Sequence, residues 1–426
     1  MSTALLTLSV TELARRVREG EIRSRELVDS HIAHLERVNP RVNAVVATRF
    51  EAARAEADAA DALRARSGKN ALPPLHGVPC TIKECFEFEG MPQTSGLVSR
   101  KGSISERDAT AVRRLREAGA IPLGVTNLSE LCMWMESNNR VYGRTENAHL
   151  DGHIAGGSSG GEGSIVATGA SPFGLGSDIG GSIRMPAFFN GVFGHKPTGG
   201  MVPTTGHFPT SANEALRYQT TGPLARTAED LHLLLSVLKG PDGLDPACRA
   251  VELGDPRAVD IAKIRVLHVP DDGRTYVSKE LRGAQARAAR YLESLGAHVR
   301  EVRFSGLKHS FEIWASMLQA AQSTPFSSLM ANEGEETDLL PELYRIARGA
   351  SPHTLPALVL GAVEKLTQKL EGRSREMCER GAALRHALTE ALGDNGVMLY
   401  PPYAMVAPKH RMPMFWPFLW VYTGIL

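Results

Sequence analysis

The chain has 426 residues, 42% of them hydrophobic and 22% charged, with a formal net charge of +1. That size and balance describe a globular protein with a sizeable core, and near-neutrality excludes a global field that recruits nucleic acid or acidic lipid. Lysines and arginines are scattered among acids with no basic run interleaved with aromatics, so no nucleic-acid partner is expected.

In chain order, Ser9-Val10-Thr11-Glu12 has the form of a capping box, followed at helical spacing by Leu13 and Val17. A second helix is predicted from Ser24, burying Val28, Ile32 and Leu35 and stopping at Asn39-Pro40. On it, His31 and His34 share a face without a third ligand in view, so both are expected to be exposed. Residues 44–48 read as a strand and 50–66 as an alanine-rich surface helix. Beyond them come a strand at 78–83, a capped helix at 108–118 and a strand at 121–125. A helix at 162–169, an extended run at 173–176 and a helix at 227–238 follow, then a strand at 264–269, a helix at 279–295 and a strand at 298–304. This alternation predicts an α/β domain with a mostly buried central sheet.

Residues 305–393 differ, with helical stretches around 308–322 and 355–392, and read as a helical insertion or cap on the same domain. Within them Leu355, Leu358, Val359, Ala362, Val363 and Leu366 form one apolar stripe. Packing against the sheet explains it; so does an apolar lip that touches hydrophobic substrate or lipid. The aromatic run 414–421 contains Pro417, is too short to span a bilayer and reads as core material.

Cys80, Cys85, Cys132, Cys248 and Cys378 form neither a CxxC pair nor an even framework, which fits reduced, buried thiols. No HExxH motif occurs, and neither a metal nor any other cofactor is expected. The amino terminus lacks a basic region followed by an apolar core, and no window of roughly 18 apolar residues exists, so a cytoplasmic location is expected.

The chemistry concentrates in GGSSGGEGSIVATGASPFGLGSDIGGSIR, residues 156–184. Glycines allow backbone N–H groups to converge, and a serine among them can attack a carbonyl while its neighbours stabilise the oxyanion. Ser158 and Ser182 are the two candidates, with Ser182 the nucleophile. No GxSxG elbow is present and no histidine stands near either serine, although a triad assembles in space rather than in sequence. Lys83 ends the apolar run HGVPCTIK; base work near neutral pH requires that burial favour its neutral form. Each piece has an ordinary reading, an ion-paired lysine and a flexible glycine turn. No GK[ST] follows GGSSGG, which argues against a phosphate loop.

Together, Lys83 in GVPCTIKE, Ser158 in GGSSGGEG and Ser182 in SDIGGSIRMPAFFNGVFGHKPT resemble the three parts of the amidase signature family. The likeness is greatest to its fatty-acid amide hydrolase branch, the second mammalian type in particular. GMPQTSGL (90–97), GAIPLGVTNLSELCMWMESNN (119–139), TGPLARTAEDL (221–231) and LYPPYAMVAPKH (399–410) extend it from about residue 10 to the end.

The resemblance implies a single domain over 1–426, with a mixed central sheet flanked by helices on both faces, a catalytic core at about 10–240 and the cap at about 305–393. It implies a Ser-cisSer-Lys triad of Ser182, Ser158 and Lys83, with a cis Gly157–Ser158 peptide. The oxyanion hole would be the N–H groups of Ile179, Gly180, Gly181 and Ser182. Asp178 and Arg184 would tie the serine loops together, Ser159 would support them, and Cys132, Met133 and Trp134 would border the acyl pocket. Cys85 has no nucleophilic role in this reading. The implied substrate is a small carboxylic amide with an apolar acyl group. Two alternatives are a glutamine amidotransferase A-subunit needing partner subunits and an inactive scaffold; Glu162 and the long central motif resemble the fatty-amide branch more.

The mammalian relatives carry an N-terminal membrane helix that has no counterpart here, which favours a soluble protein. The family also continues beyond Tyr422-Thr423-Gly424-Ile425-Leu426 with further strands. A chain that stops there is expected to leave a sheet edge or apolar groove uncovered, to pair with a second copy, and to be less stable than a full-length relative.

Overall fold

A computed structural model describes residues 3–321, 324–331, 336–368 and 371–415. These fall into two compact units, Met1–Val251 with Thr324–Gly361 and Glu252–Ser323 with Ala362–Leu426.

The first unit opens on α1 (Val10–Glu19), capped by Ser9, whose side chain accepts from Glu12 N–H. Helix α2 (Ser24–Val42) does not stop at Pro40. Asn39 lets it run on, because its side chain accepts from Ala44 and Val45 N–H at 2.9 and 2.8 Å while Asn43 closes the last turn in the left-handed region. His31 is buried, not exposed: it lies on the face of Val28, Ile32 and Leu35 and uses Nδ1 on the Leu27 carbonyl. His34 is partly exposed, with Nε2 on the Thr168 carbonyl.

A six-stranded mixed sheet follows. Its strands are β1 (Val45–Thr48), β2 (Pro79–Lys83), β3 (Ile121–Thr126), β6 (Phe173–Asp178), β7 (Phe193–Gly194) and β8 (Thr220–Ala225); β4 (Asn138–Asn139) and β5 (Gly143–Arg144) form a separate small hairpin. The order is β1-β3-β2-β6-β8-β7, with β2 parallel to both β3 and β6 and the remaining pairs antiparallel. Every residue of β2, β3, β6 and β8 is buried, as in a sheet covered on both faces, and the burial pattern does not alternate along them. Strand β6 runs two residues past the predicted extended run and so carries Ser177 and Asp178.

Helices flank this sheet. α2, α3 (Phe50–Arg66) and α5 (Gly160–Ala167) pack Val28, Ile32, Ala53, Ala57 and Ile165 against Ile121 and Leu123. α4 (Thr110–Glu117) begins without a side-chain cap, since Asp108 is used by Glu89 N–H and Arg116 instead. α6 (Arg184–Asn190) and α7 (Ala228–Leu238) complete the set.

The second unit has its own parallel sheet, β10 (His298–Glu301), β9 (Arg265–His268) and β11 (Gly396–Leu399), with Val266 in register with Val299 and Val397. Its core joins Leu267 and Val269 to Leu307, Ile313, Met377, Leu384 and Leu388.

The expected cap at 305–393 is therefore divided between the units. Residues 324–361 pack with loops of the six-stranded sheet's unit, where Phe326, Met330, Leu339, Ala357 and Leu358 surround Leu97 and Leu131. The apolar stripe splits as well. Leu358 is buried, whereas Leu355, Val359 and Val363 are exposed; the side chain of Leu366 lies outside the described residues. Residues 416–426, including most of the aromatic run, also lie outside them. Among the described residues no helix is long and apolar enough to cross a membrane.

Candidate active site

Two neighbouring strand ends and the loop before a helix build the site. β2 ends on Lys83, the loop before α5 carries Ser158, and β6 leads into the loop carrying Ser182. Parallel pairing of β2 with β6, Thr81 beside Gly174 and Ile82 beside Leu175, brings Lys83 alongside Ser177. Lys83 is fully buried, with Nζ 2.7 Å from Ser158 Oγ and 3.0 Å from Ser177 Oγ.

The Gly157–Ser158 peptide is cis. Gly157 is required by close approach: a Cβ there would collide with the Trp134 carbonyl oxygen. Ser159 joins the two serine loops, donating from N–H to the Ser182 carbonyl at 3.1 Å and from Oγ to the Ser177 carbonyl at 3.2 Å.

Asp178 and Arg184 bond to each other, and Asp178 to backbone N–H groups of the second loop. Asp178 accepts from the N–H groups of Gly181 (2.7 Å), Ile183 (3.0 Å) and Arg184 (3.3 Å), and from Arg184 Nε and Nη2 at 3.0 and 2.8 Å. Burial opposes the Asp178 charge, but Arg184, nearby Lys196 and these N–H donors hold its carboxyl well below the usual carboxylate range. Gly181 N–H is thus committed to Asp178. The N–H groups of Gly180 and Ser182 make no hydrogen bond with the described residues, and Ile179, Gly180 and Ser182 are all partly exposed. The Ser182 hydroxyl likewise has no partner among them; its link to the Ser158 loop is through backbone.

Four features of the site were not evident from the sequence. Ser177 Oγ lies 2.9 Å from His207 Nε2 and 3.8 Å from Cys85 Sγ, so it connects Lys83 to a second cluster. Cys132 completes that cluster with Cys85 and His207. Burial raises the Cys132 thiol, but Cys85, Lys83 and His207 together favour its thiolate, while burial and Cys132 push the Cys85 thiol up. Glu84, next to Lys83, accepts from Thr94 N–H and Oγ1, Ser95 N–H and Tyr142 Oη, and burial raises its carboxyl to about 7. Glu130 accepts from Thr354 N–H and pairs with His353 Nδ1, each at 2.7 Å, fastening residues 324–361 to the loop that carries Leu131 and Cys132. The charge alternation in KECFEFEG hints at buried acids, but partners some ten to two hundred residues away carry no local signal.

Comparison with known proteins fixes the class. The Amidase family model matches residues 26–421. The chain belongs to this amidase-signature family, and it is an enzyme that hydrolyses amides. It is 42% identical over 440 residues to fatty-acid amide hydrolase 2-A of Danio rerio, covering 100% of this chain and 81% of that one. To fatty-acid amide hydrolase 2 of Homo sapiens it is 39% identical over 436 residues, covering 99% and 81%. A solved fatty acid amide hydrolase superposes with a TM-score of 0.81 at 25% identity, covering 100% of this chain and 73% of that one.

Proposed function

We propose that this enzyme cleaves carboxylic amides through an acyl-enzyme on Ser182, with Ser158 relaying protons to Lys83, and that it favours apolar acyl groups. The observation that carries the relay is the 2.7 Å approach of Lys83 Nζ to Ser158 Oγ in a fully buried setting. An unassisted serine hydroxyl is too weak a nucleophile for an amide. Lys83 takes the Ser158 proton as Ser158 takes that of Ser182, whose Oγ bonds to the carbonyl carbon. The N–H groups of Gly180 and Ser182, which have no described partner, receive the oxyanion; Gly181 instead shapes the loop through Asp178. Reversal of the relay protonates the leaving nitrogen as the C–N bond breaks. Water, deprotonated by the same route, then releases the carboxylate.

The apolar preference rests on the similarity to fatty-acid amide hydrolases and on the surroundings of Cys132. Leu131 belongs to an apolar cluster with Leu97, Phe326 and Leu358, and Met133 packs against it. Exposed Leu355 and Val359 on the helix Leu355–Gln368 provide an apolar lip for hydrophobic substrate or lipid.

Hydrolysis rates on long-chain fatty amides, aryl amides, short aliphatic amides and glutamine test the preference. The highest kcat/KM is expected on long-chain amides. Preference for glutamine or for short amides would reverse the assignment.

A further inference from the structure

Cys85, Cys132 and His207 present one ligand atom each, all within 4.8 Å of one another. They come from three separate segments: the turn after β2, the short helical turn Glu130–Cys132, and the loop before β8. Leu131 and Cys132 both adopt the left-handed region, at φ 53° and 60°, to bring Cys132 to this position.

Around a tetrahedral cation with Zn–S of about 2.3 Å and Zn–N of about 2.0 Å, neighbouring donors stand about 3.3–3.8 Å apart. Side-chain rotations that close the cluster by about 1 Å would satisfy that geometry. His207 is already arranged as a ligand. Its Nδ1 lies 2.9 Å from the Pro209 carbonyl, so Nδ1–H donates there and Nε2 keeps its lone pair. Ser177, 2.9 Å from that nitrogen, donates to it. Cys85 and His207 are buried while Cys132 is partly exposed, which gives an entry path past Cys132. Two sulfurs and one imidazole select a soft d10 divalent cation over Mg2+ or Ca2+.

We propose that Cys85, Cys132 and His207 form an inhibitory site for a soft divalent cation of the Zn2+ type. The ion takes the Nε2 lone pair, so the Ser177–His207 hydrogen bond is lost. Ser177 then turns toward the ion as fourth ligand or releases its place to water. Either way Lys83 loses the Ser177 contact that helps hold its Nζ beside Ser158. The binding half of this inference is independent of the proposed triad; the inhibition rests on it.

The test uses the full chain kept reduced with a phosphine. Titration with Cd2+ should give a thiolate-to-metal charge-transfer band at one equivalent, and Zn2+ should abolish amide hydrolysis reversibly, with a chelator restoring it. Cys132→Ser and His207→Ala should each weaken binding by more than the roughly 10- to 100-fold that loss of an outer hydrogen-bond partner costs. A Cys248→Ser/Cys378→Ser double variant should bind as the wild type does, and Lys83→Met should still give the band. An unchanged band in Cys132→Ser and His207→Ala would overturn the site. Tight binding at these ligands with undiminished hydrolysis would overturn the inhibition while leaving the site in place.

Discussion

The carboxyl group of Glu162 fills the space that a side chain at Gly174 would need: a Cβ on Gly174 would collide with Glu162 Oε2. The acid stands on α5, two residues after its start, and accepts from Thr81 Oγ1 at 2.6 Å and Thr126 Oγ1 at 2.9 Å, joining α5 to β2 and β3. Gly174→Ala should therefore cost about 1–3 kcal/mol, as overpacking does, and lower Tm. Glu162→Ala in the same chain should recover part of the loss in a double-mutant cycle. Additive losses would show that the two positions do not compete for space.

Burial pushes the Glu162 carboxyl up to about 8, against the hydrogen bonds of Thr81 and Thr126. Glu84 is raised to about 7 for the same reason. In the unfolded chain both ionise near pH 4.3. Between about 4.3 and 8 the folded protein holds protons that the unfolded chain has released, so stability falls as pH rises through this window. Denaturant unfolding at several pH values should show that decline levelling off above about 8. Glu162→Gln, which mimics the neutral acid, should make it shallower; an unchanged slope would mean that Glu162 is ionised in the fold.

Arg184→Ala removes the two side-chain donors that oppose the burial of Asp178. Breaking a buried pair by deleting one partner costs about 3–5 kcal/mol. Chemical denaturation should register a loss of that order, together with reduced hydrolysis because the same carboxylate shapes the Ser182 loop. Wild-type stability in Arg184→Ala would show that the N–H groups of Gly181, Ile183 and Arg184 suffice to hold Asp178.

His353→Ala leaves buried Glu130 without the donor at its Oε1, which costs about 1–3 kcal/mol. The effect should be local. Hydrogen exchange should quicken in the helices Phe326–Ala331 and Leu339–Ala347 while β2 and β3 keep their protection. Uniform acceleration would show that this pair supports the whole unit.

Much of the first unit is legible in the sequence because its signals are local. The Ser9 cap, the apolar face of α2 and the mainly apolar strands 79–83 and 121–126 each declare themselves within a few residues. Glycine density around Ser158 and Ser182 likewise marks loops that approach other backbone closely. Pro40 misleads, since the stop it suggests is overridden by the Asn39 side chain. Strand β8 has Gly222 and Pro223 in its middle, a poor local strand signal, and forms because β6 pairs with it residue by residue. Ser177 and His207 were hidden for a related reason. One acquires its neighbour from strand register and the other from a loop 30 residues away. The division of residues 305–393 between two units depends on which sheet each helix packs against, and the apolar spacing of a helix does not name its partner.

Active-site labelling bears most directly on the roles of Ser182, Ser158 and Lys83. A fluorophosphonate traps a serine only when that serine is activated as a nucleophile, and peptide mapping by mass spectrometry identifies the modified position. Labelling is expected on Ser182 of the wild type, absent from Ser182→Ala, and slowed by a factor of roughly 10^2–10^4 in Lys83→Met. Labelling that persists on Ser158 or elsewhere in Ser182→Ala, or a folded wild type that takes no label, would contradict the assignment.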